Sequence, residues 1–274
     1  MPDKPQPWFT LPRHALVTLA GRDALAFAQA QFMGDVRLLQ PGQWHWNGWL
    51  TPKGRVLALF ALLVRDPETA WLVLHDSEPD AFATALRRYV FRSKVTIEAP
   101  GTPIFGSTSL AAPTTTATGV ELDVSAEGGR RTLRIGGEPG IEDPEADSDW
   151  ARFDLLHGLP RLPASQLEQW TPQQLSLERL RAYSVAKGCY PGQEIVARTH
   201  FLGKAKRGLV LLEGDTPIQP GSEVRSGERA LGTVVCAEGN FALAVMPLER
   251  DGGGLAIDGH PIRERPLQGG LARP

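Results

Sequence analysis

The stretch Lys187-Gly188-Cys189-Tyr190-Pro191-Gly192-Gln193-Glu194 gathers groups that can do chemistry. A thiol has a primary amine two residues before it and a carboxylate five residues after it. Thiolate, not thiol, is the nucleophile and metal ligand, and a neighbouring ammonium favours it. Two glycines and a proline predict an irregular turn, which presents side chains that regular structure would bury. The residues alone leave two readings open. One is a half-buried thiol in a structural connection; the other is a reactive thiol at an exposed corner. Just beyond, Arg198, His200, Lys204, Lys206 and Arg207 form a positive patch in a chain of net charge −2. Clustered Lys and Arg attract carboxylate tails and phosphates alike.

The elements around the turn must hold it in place. Thr171 as cap, Pro172 at the first helical position and Gln174 at the third predict a helix running into it, with Leu177, Leu180 and Ser184 on one face. Alternation over residues 194–201 predicts a strand running out, with Glu194, Val196, Arg198 and His200 on one face. Upstream, residues 16–19 read as a strand, and Asp23 as the cap of a helix from Ala24. Residues 44–50 and 55–64 read as a hairpin across Thr51-Pro52-Lys53-Gly54. A strand at 70–74, a helix opened by a Ser77/Asp80 capping pair and a strand near 91–97 complete a ferredoxin-like order. Residues 99–119 read as a loop, 120–124 and 130–135 as a hairpin, 138–149 as an acidic surface segment, and 150–158 as a helix ended by glycine. From Arg207 the pattern is strand and turn, as in a small barrel. There Cys236 shares a strand face with Val234, as a buried structural thiol would.

The tryptophans admit two uses each. Trp44, Trp46 and Trp49 either stack on a flat heterocycle or line a core seam, and Trp150 is either a pocket wall or a core ring.

Composition narrows the classes. Hydrophobic content of 42% and charged content of 22% over 274 residues are ordinary for a soluble globular protein. A near-neutral balance argues against a general nucleic-acid binder. Two cysteines form no CxxC, whereas a cubane cluster wants about four thiolates. The chain alone therefore holds no such cluster in the usual way, and no resident metal is expected. The longest apolar run, residues 56–64, is far short of the ~20 residues a membrane span needs. The amino terminus lacks the regions of a secretion signal, so a cytoplasmic location is expected.

The octapeptide Lys-Gly-Cys-Tyr-x-Gly-Gln-Glu resembles the signature of the YgfZ family, folate-binding proteins related to glycine-cleavage aminomethyltransferases and implicated in iron–sulfur cluster assembly or repair. Gly21-Arg22-Asp23-Ala24, Phe27, Gln29, Gln31 and Asp35-Val36 resemble the same family about 150 residues earlier, as does Phe91-Arg92-Ser93-Lys94-Val95-Thr96-Ile97. The resemblance implies an α+β fold with an aminomethyltransferase-like folate-binding body over residues 1–205, its ferredoxin-like part at roughly 50–145. A β-barrel carboxy-terminal domain over 206–274 would follow. It implies Cys189 and Lys187 as the reactive pair and tetrahydrofolate as ligand. Trp150, Tyr190, Gln193, Glu194, Arg198 and Lys204 would then lie at the folate site. Implied partners are iron–sulfur proteins or their assembly machinery, with transfer RNA as an alternative.

Two departures stand out. Aminomethyltransferases similar to this family carry acidic residues just after a glycine turn, whereas Gly54-Arg55-Val56-Leu57-Ala58-Leu59 has none. Amine activation needs a positioned acid or base, so aminomethyl transfer becomes the alternative reading rather than the leading one. Relatives also often place a glutamate two residues before the Gly158 position. Here Leu156 stands there, with Asp154 the nearest acid.

Overall fold

The computed structural model describes residues 7–109, 119–203, 205–250 and 252–273. In chain order these form β1 (Phe9–Thr10), β2 (His14–Ala20), α1 (Ala24–Gln31), β3 (Trp44–Leu50), β4 (Val56–Asp66) and β5 (Thr69–His75). Then follow α2 (Pro79–Arg87), β6 (Thr96–Glu98), β7 (Ile104–Ser107), β8 (Gly119–Asp123), β9 (Thr132–Gly136) and α3 (Pro144–Leu156). After α4 (Gln193–Leu202) come β10 (Arg207–Gly214), β11 (Glu223–Ser226), β12 (Arg229–Glu238), β13 (Phe241–Pro247), β14 (Leu255–Ile257) and β15 (His260–Arg265). None of the described helices is long and apolar enough to cross a membrane.

The apolar run of β4 has a simple cause. It lies inside an antiparallel sheet of order β3-β4-β5-β2-β6 that is covered on both faces. Ala58, Phe60, Leu62 and Val64 pack with Phe27 and Phe82 of α1 and α2. Leu59, Ala61 and Leu63 pack on the other face with Trp46 and Trp150. A sheet buried on both sides loses its polar alternation. A second sheet, order β1-β7-β9-β8, joins the latter core, and β10 to β15 close a barrel. Val210, Leu212, Val234 and Met246 fill the barrel. Leu209, Leu211, Val235 and Val245 face outward into the body's core.

The hairpins at β3–β4 and β8–β9 and the barrel form as expected, but several elements differ. Strand β7 lies within the segment read as loop, where Ile104 and Phe105 are buried partners of β9. Helix α3 begins at Pro144, inside the segment read as acidic surface, because Asp143 caps it through Ala146 N–H. Neither upstream cap forms as expected. The Asp23 carboxylate instead accepts from Lys94 N–H at 2.6 Å, and Ser77 Oγ donates to the His75 carbonyl.

The helix expected before the octapeptide is replaced by a single 3-10 turn, Leu177–Leu180, between left-handed Ser176 and Arg181. The Thr171/Gln174 capping box does form. Leu175, Leu177, Leu180 and Ala182 are nevertheless all buried, so a tight turn buries what a longer helix was expected to bury. After the octapeptide the expected strand is α4. Val196 is its buried residue, and Ile195 and Thr199 are half-buried beside it, a stripe of helical spacing of which only Ile195 and Thr199 would also share a face in a strand. In the barrel, a bulge between Val234 and Cys236 ends the face they were expected to share. Val234 points into the barrel and Cys236 into the body's core.

The two glycines of the octapeptide are not equivalent. Gly192 has φ +78°, and a Cβ there would lie 2.6 Å from the Thr51 carbonyl oxygen and 2.7 Å from Gly54 Cα. The β3–β4 turn therefore rests directly on the start of α4. Gly188 has nothing within 4 Å of a Cβ and no positive φ. Gly192→Ala should destabilise the chain by about 3 kcal/mol, from left-handed strain plus overpacking. Gly188→Ala should stay within about 0.5 kcal/mol. Urea unfolding of both variants checks this, and equal effects would refute the packing described.

Candidate functional site

The octapeptide is fastened by its own side chains. Lys187 is 3% exposed, and its ammonium donates to the Phe32 carbonyl at 2.6 Å and the Gly34 carbonyl at 2.9 Å. Burial lowers its pKa to about 8, with Asp35 pulling it back up and Arg37 lowering it further. The ammonium also lies 5.0 Å from the centre of the Tyr190 ring, within cation–π reach. Tyr190 Oη donates to the Ser184 carbonyl at 3.1 Å, and Gln193 Nε2 to the Lys187 carbonyl at 3.0 Å. Burial pushes the Tyr190 phenol upward. Ser184 N–H donates to the Met33 carbonyl, which ties the approach to the same loop.

What this leaves outside is Cys189, which is exposed. The expected pairing of Lys187 with the thiol is not among its contacts. Within the described residues both hydrogen bonds of the ammonium go to carbonyl oxygens. Glu194 and Arg198 are exposed one helical turn apart on α4. His200 lies about 240° round the helix from Glu194, so the single face expected for the three is not formed. Lys204 lies outside the described residues.

Trp150, 3% exposed, sits in the wall of a cavity of about 500 Å³ together with Phe9, Arg130, Arg131, Arg152, Phe153 and Leu156. Its ring meets Phe9 edge-on at 5.9 Å. The Arg131 guanidinium lies 4.3 Å from the Trp150 centroid and 3.8 Å from that of Phe153. Arg131 is held there by the Trp150 carbonyl and the Asp154 carboxylate. Aromatic walls with a few charged groups at the rim are the usual make-up of a small-molecule pocket, and the volume is within the common range. Leu156 lines the wall at the position where the resemblance implies a carboxylate. Asp154 is not its substitute, since it is not part of this wall and lies behind Arg131, whose guanidinium it accepts from. Cys189 is not part of this wall.

Trp44, Trp46 and Trp49 are core residues. Trp44 and Trp46 pack edge to face at 5.2 Å, and Trp46 Nε1 donates to the Leu271 carbonyl. Sequence reading missed this tail. Residues 268–273 fold back over the body, with Gln268 N–H on the Leu156 carbonyl and Arg273 over Trp44 at 5.0 Å. It also missed Phe9, Arg130, Arg131 and Phe153, which carry no local motif. Ala58 and Leu59, where the resemblance to aminomethyltransferases implies acidic residues, are buried apolar residues of β4.

Residues 206–267 match the family described as CAF17, C-terminal beta-barrel domain. Curated relatives along most of the chain bear the name tRNA-modifying protein YgfZ. The one from Aliivibrio fischeri is 27% identical over 91% of this chain and 88% of its own length. The one from Klebsiella pneumoniae is 29% identical over 83% of this chain and 80% of its own length. Among solved structures, the glycine cleavage system aminomethyltransferase T from Bartonella henselae aligns with a TM-score of 0.69, over 96% of this chain and 87% of that one. At 14% identity the likeness is one of fold. The resemblance read from the octapeptide thus extends along the molecule: the chain is similar over most of its length to proteins named YgfZ, and it joins a body of aminomethyltransferase fold to a CAF17-type barrel.

Proposed function

We propose that this chain is a folate-binding accessory protein that serves the assembly or maintenance of iron–sulfur enzymes through the exposed thiol of Cys189. The observation that carries the reading is the cavity of about 500 Å³ walled by Phe9, Trp150 and Phe153 with arginines at its rim, set in an aminomethyltransferase fold. A reduced folate fits this donor set. The pterin would lie against the aromatic wall, and the glutamate tail would meet Arg130 and Arg152, both exposed. A bound folate would supply a carrier for one-carbon groups. Residues 54–59 offer no acid for aminomethyl transfer, which supports an accessory role over that chemistry. Lys187 is the positioning residue that holds the turn from which Cys189 projects.

A second reading, a factor in tRNA modification, is favoured by the name its relatives carry and by exposed Arg198, His200 and Lys206. Transfer RNA retention that falls at least about tenfold between 50 and 200 mM salt is its expected signature, and no retention at low salt removes it.

Calorimetric titration with tetrahydrofolate should give saturable one-to-one binding. Arg130→Ala with Arg152→Ala should weaken it about tenfold, and Trp150→Phe by a smaller factor. Wild-type protein that gives no binding heat, or variants that bind equally well, would end the folate reading.

Cys189→Ser should change stability by less than about 0.5 kcal/mol yet abolish support of iron–sulfur enzyme activity in cells lacking the wild-type chain. Lys187→Met strips the donor from two buried carbonyls, so it should lose both that support and about 3 kcal/mol. The pH dependence carries a definite sign. Lys187 titrates at about 8 in the folded chain against 10.5 otherwise, so between those values the unfolded chain holds the extra proton. Unfolding should therefore become harder as pH rises through that window, and Lys187→Met should lose this slope. Undiminished enzyme support by Cys189→Ser would refute the thiol's role.

A further inference from the structure

A second cavity, of about 620 Å³, opens at the seam of body and barrel, with His14, Asp76, Arg161 and Cys236 in its wall. His14 and His75 are directly opposed at the ends of β2 and β5, an antiparallel pair. Their ring centroids are 4.8 Å apart. Each is 7% exposed, and none of their four ring nitrogens has a hydrogen-bond partner. Buried polar atoms normally find partners, so four together call for an explanation. Imidazole nitrogens left without partners in this way can serve as metal ligands.

Asp154 of α3 brings a carboxylate to the pair, and one donor atom from each of the three residues lies within 4.8 Å of the others. Arg131 and Arg161 bind Asp154, Arg161 also binds Asp76, and Arg13 binds Asp147 and Glu238. Each guanidinium thus has a carboxylate partner, while Arg131 Nε, Arg161 Nη2 and one Asp147 oxygen are left without a partner. The donor set, two imidazoles and a carboxylate, rather than the net charge points to a cation.

We propose that His14, His75 and Asp154 form a binding site for a divalent transition ion of the zinc or cobalt kind, entered through the seam cavity. Two imidazoles and a carboxylate suit such ions, and three protein ligands leave a fourth position for water or a small anion. Asp154 already accepts two hydrogen bonds, but a carboxylate has about four acceptor sites. Tetrahedral bonds of about 2.05 Å set ligand atoms about 3.3 Å apart. The side chains must therefore close by up to about 1.5 Å, by rotation about χ angles. The ion would tie β2, β5 and α3 together beside the barrel.

The test is titration of chelator-stripped protein with Co²⁺, following visible absorption and tryptophan fluorescence. Trp46 lies 5.5 Å from His75 and Trp150 lies 6.4 Å from His14 between ring centroids, so a bound paramagnetic ion should quench both. Saturable one-to-one binding is expected, unchanged in Cys189→Ser and weakened at least tenfold in His14→Gln and in His75→Gln. X-ray absorption of the zinc-loaded wild-type protein reads the site without a variant, and should show two imidazoles and an oxygen at about 2.0–2.1 Å. Absence of binding at millimolar Co²⁺, full binding by both histidine variants, or a sulfur shell near 2.3 Å overturns the proposal.

Discussion

A buried ammonium has to find acceptors, and the placing of the Lys187 ammonium organises the candidate site. It is met by the carbonyls of Phe32 and Gly34, just past the end of α1. That loop is fixed from its other side by Asn47, a fully buried residue of β3 whose Oδ1 accepts from both Gly34 and Gly48 N–H. A Cβ on Gly34 would lie 2.7 Å from the Asn47 amide nitrogen, so the loop admits no larger residue without displacing the clamp. Gln29 and Asp35 close the same loop through each other and Val36 N–H. The two sequence blocks that resemble one family are thus two halves of one hydrogen-bonded system. Their residue types follow from the need to satisfy a charge and several backbone groups out of water.

Asp154 plays a comparable part in the other half of the molecule. One oxygen holds Arg131 under the rings of Trp150 and Phe153, and the other holds Arg161 at the barrel seam. A single buried carboxylate therefore shapes the walls of two cavities on either side of α3. Neutralising it would leave two guanidiniums buried without their shared counter-charge, a far larger penalty than losing a surface pair.

What could be read from the residues follows how local each signal is. The run of β4 and the turns of the barrel rest on neighbouring residues, and they form as expected. Helix α4 differs from the expected strand because Ile195 and Thr199, four residues apart, share a face under either period, whereas the adjacent Ile195 and Val196 fit one buried stripe only in a helix. The approach to the turn was misread because left-handed Ser176 and Arg181 break a helix that its capping box announces. The aromatic cavity had no readable signature, since Phe9, Arg131 and Trp150 meet only through tertiary packing. His14 and His75 could have been found. Pairing the two expected strands in antiparallel register places them opposite one another.

The two thiols show how one bulge sorts chemistry. Without the irregularity between Val234 and Cys236, alternation would turn Cys236 into the barrel. With it, the thiol enters the body's core beneath Arg161, whose backbone N–H reaches Sγ at 3.4 Å. Burial there raises its pKa to about 12, a shift that the Arg161 contact only partly offsets. A thiol so placed stays protonated at neutral pH, the unreactive form. Cys189, which the Lys187 anchor leaves in solvent, is the better placed of the two for thiol chemistry.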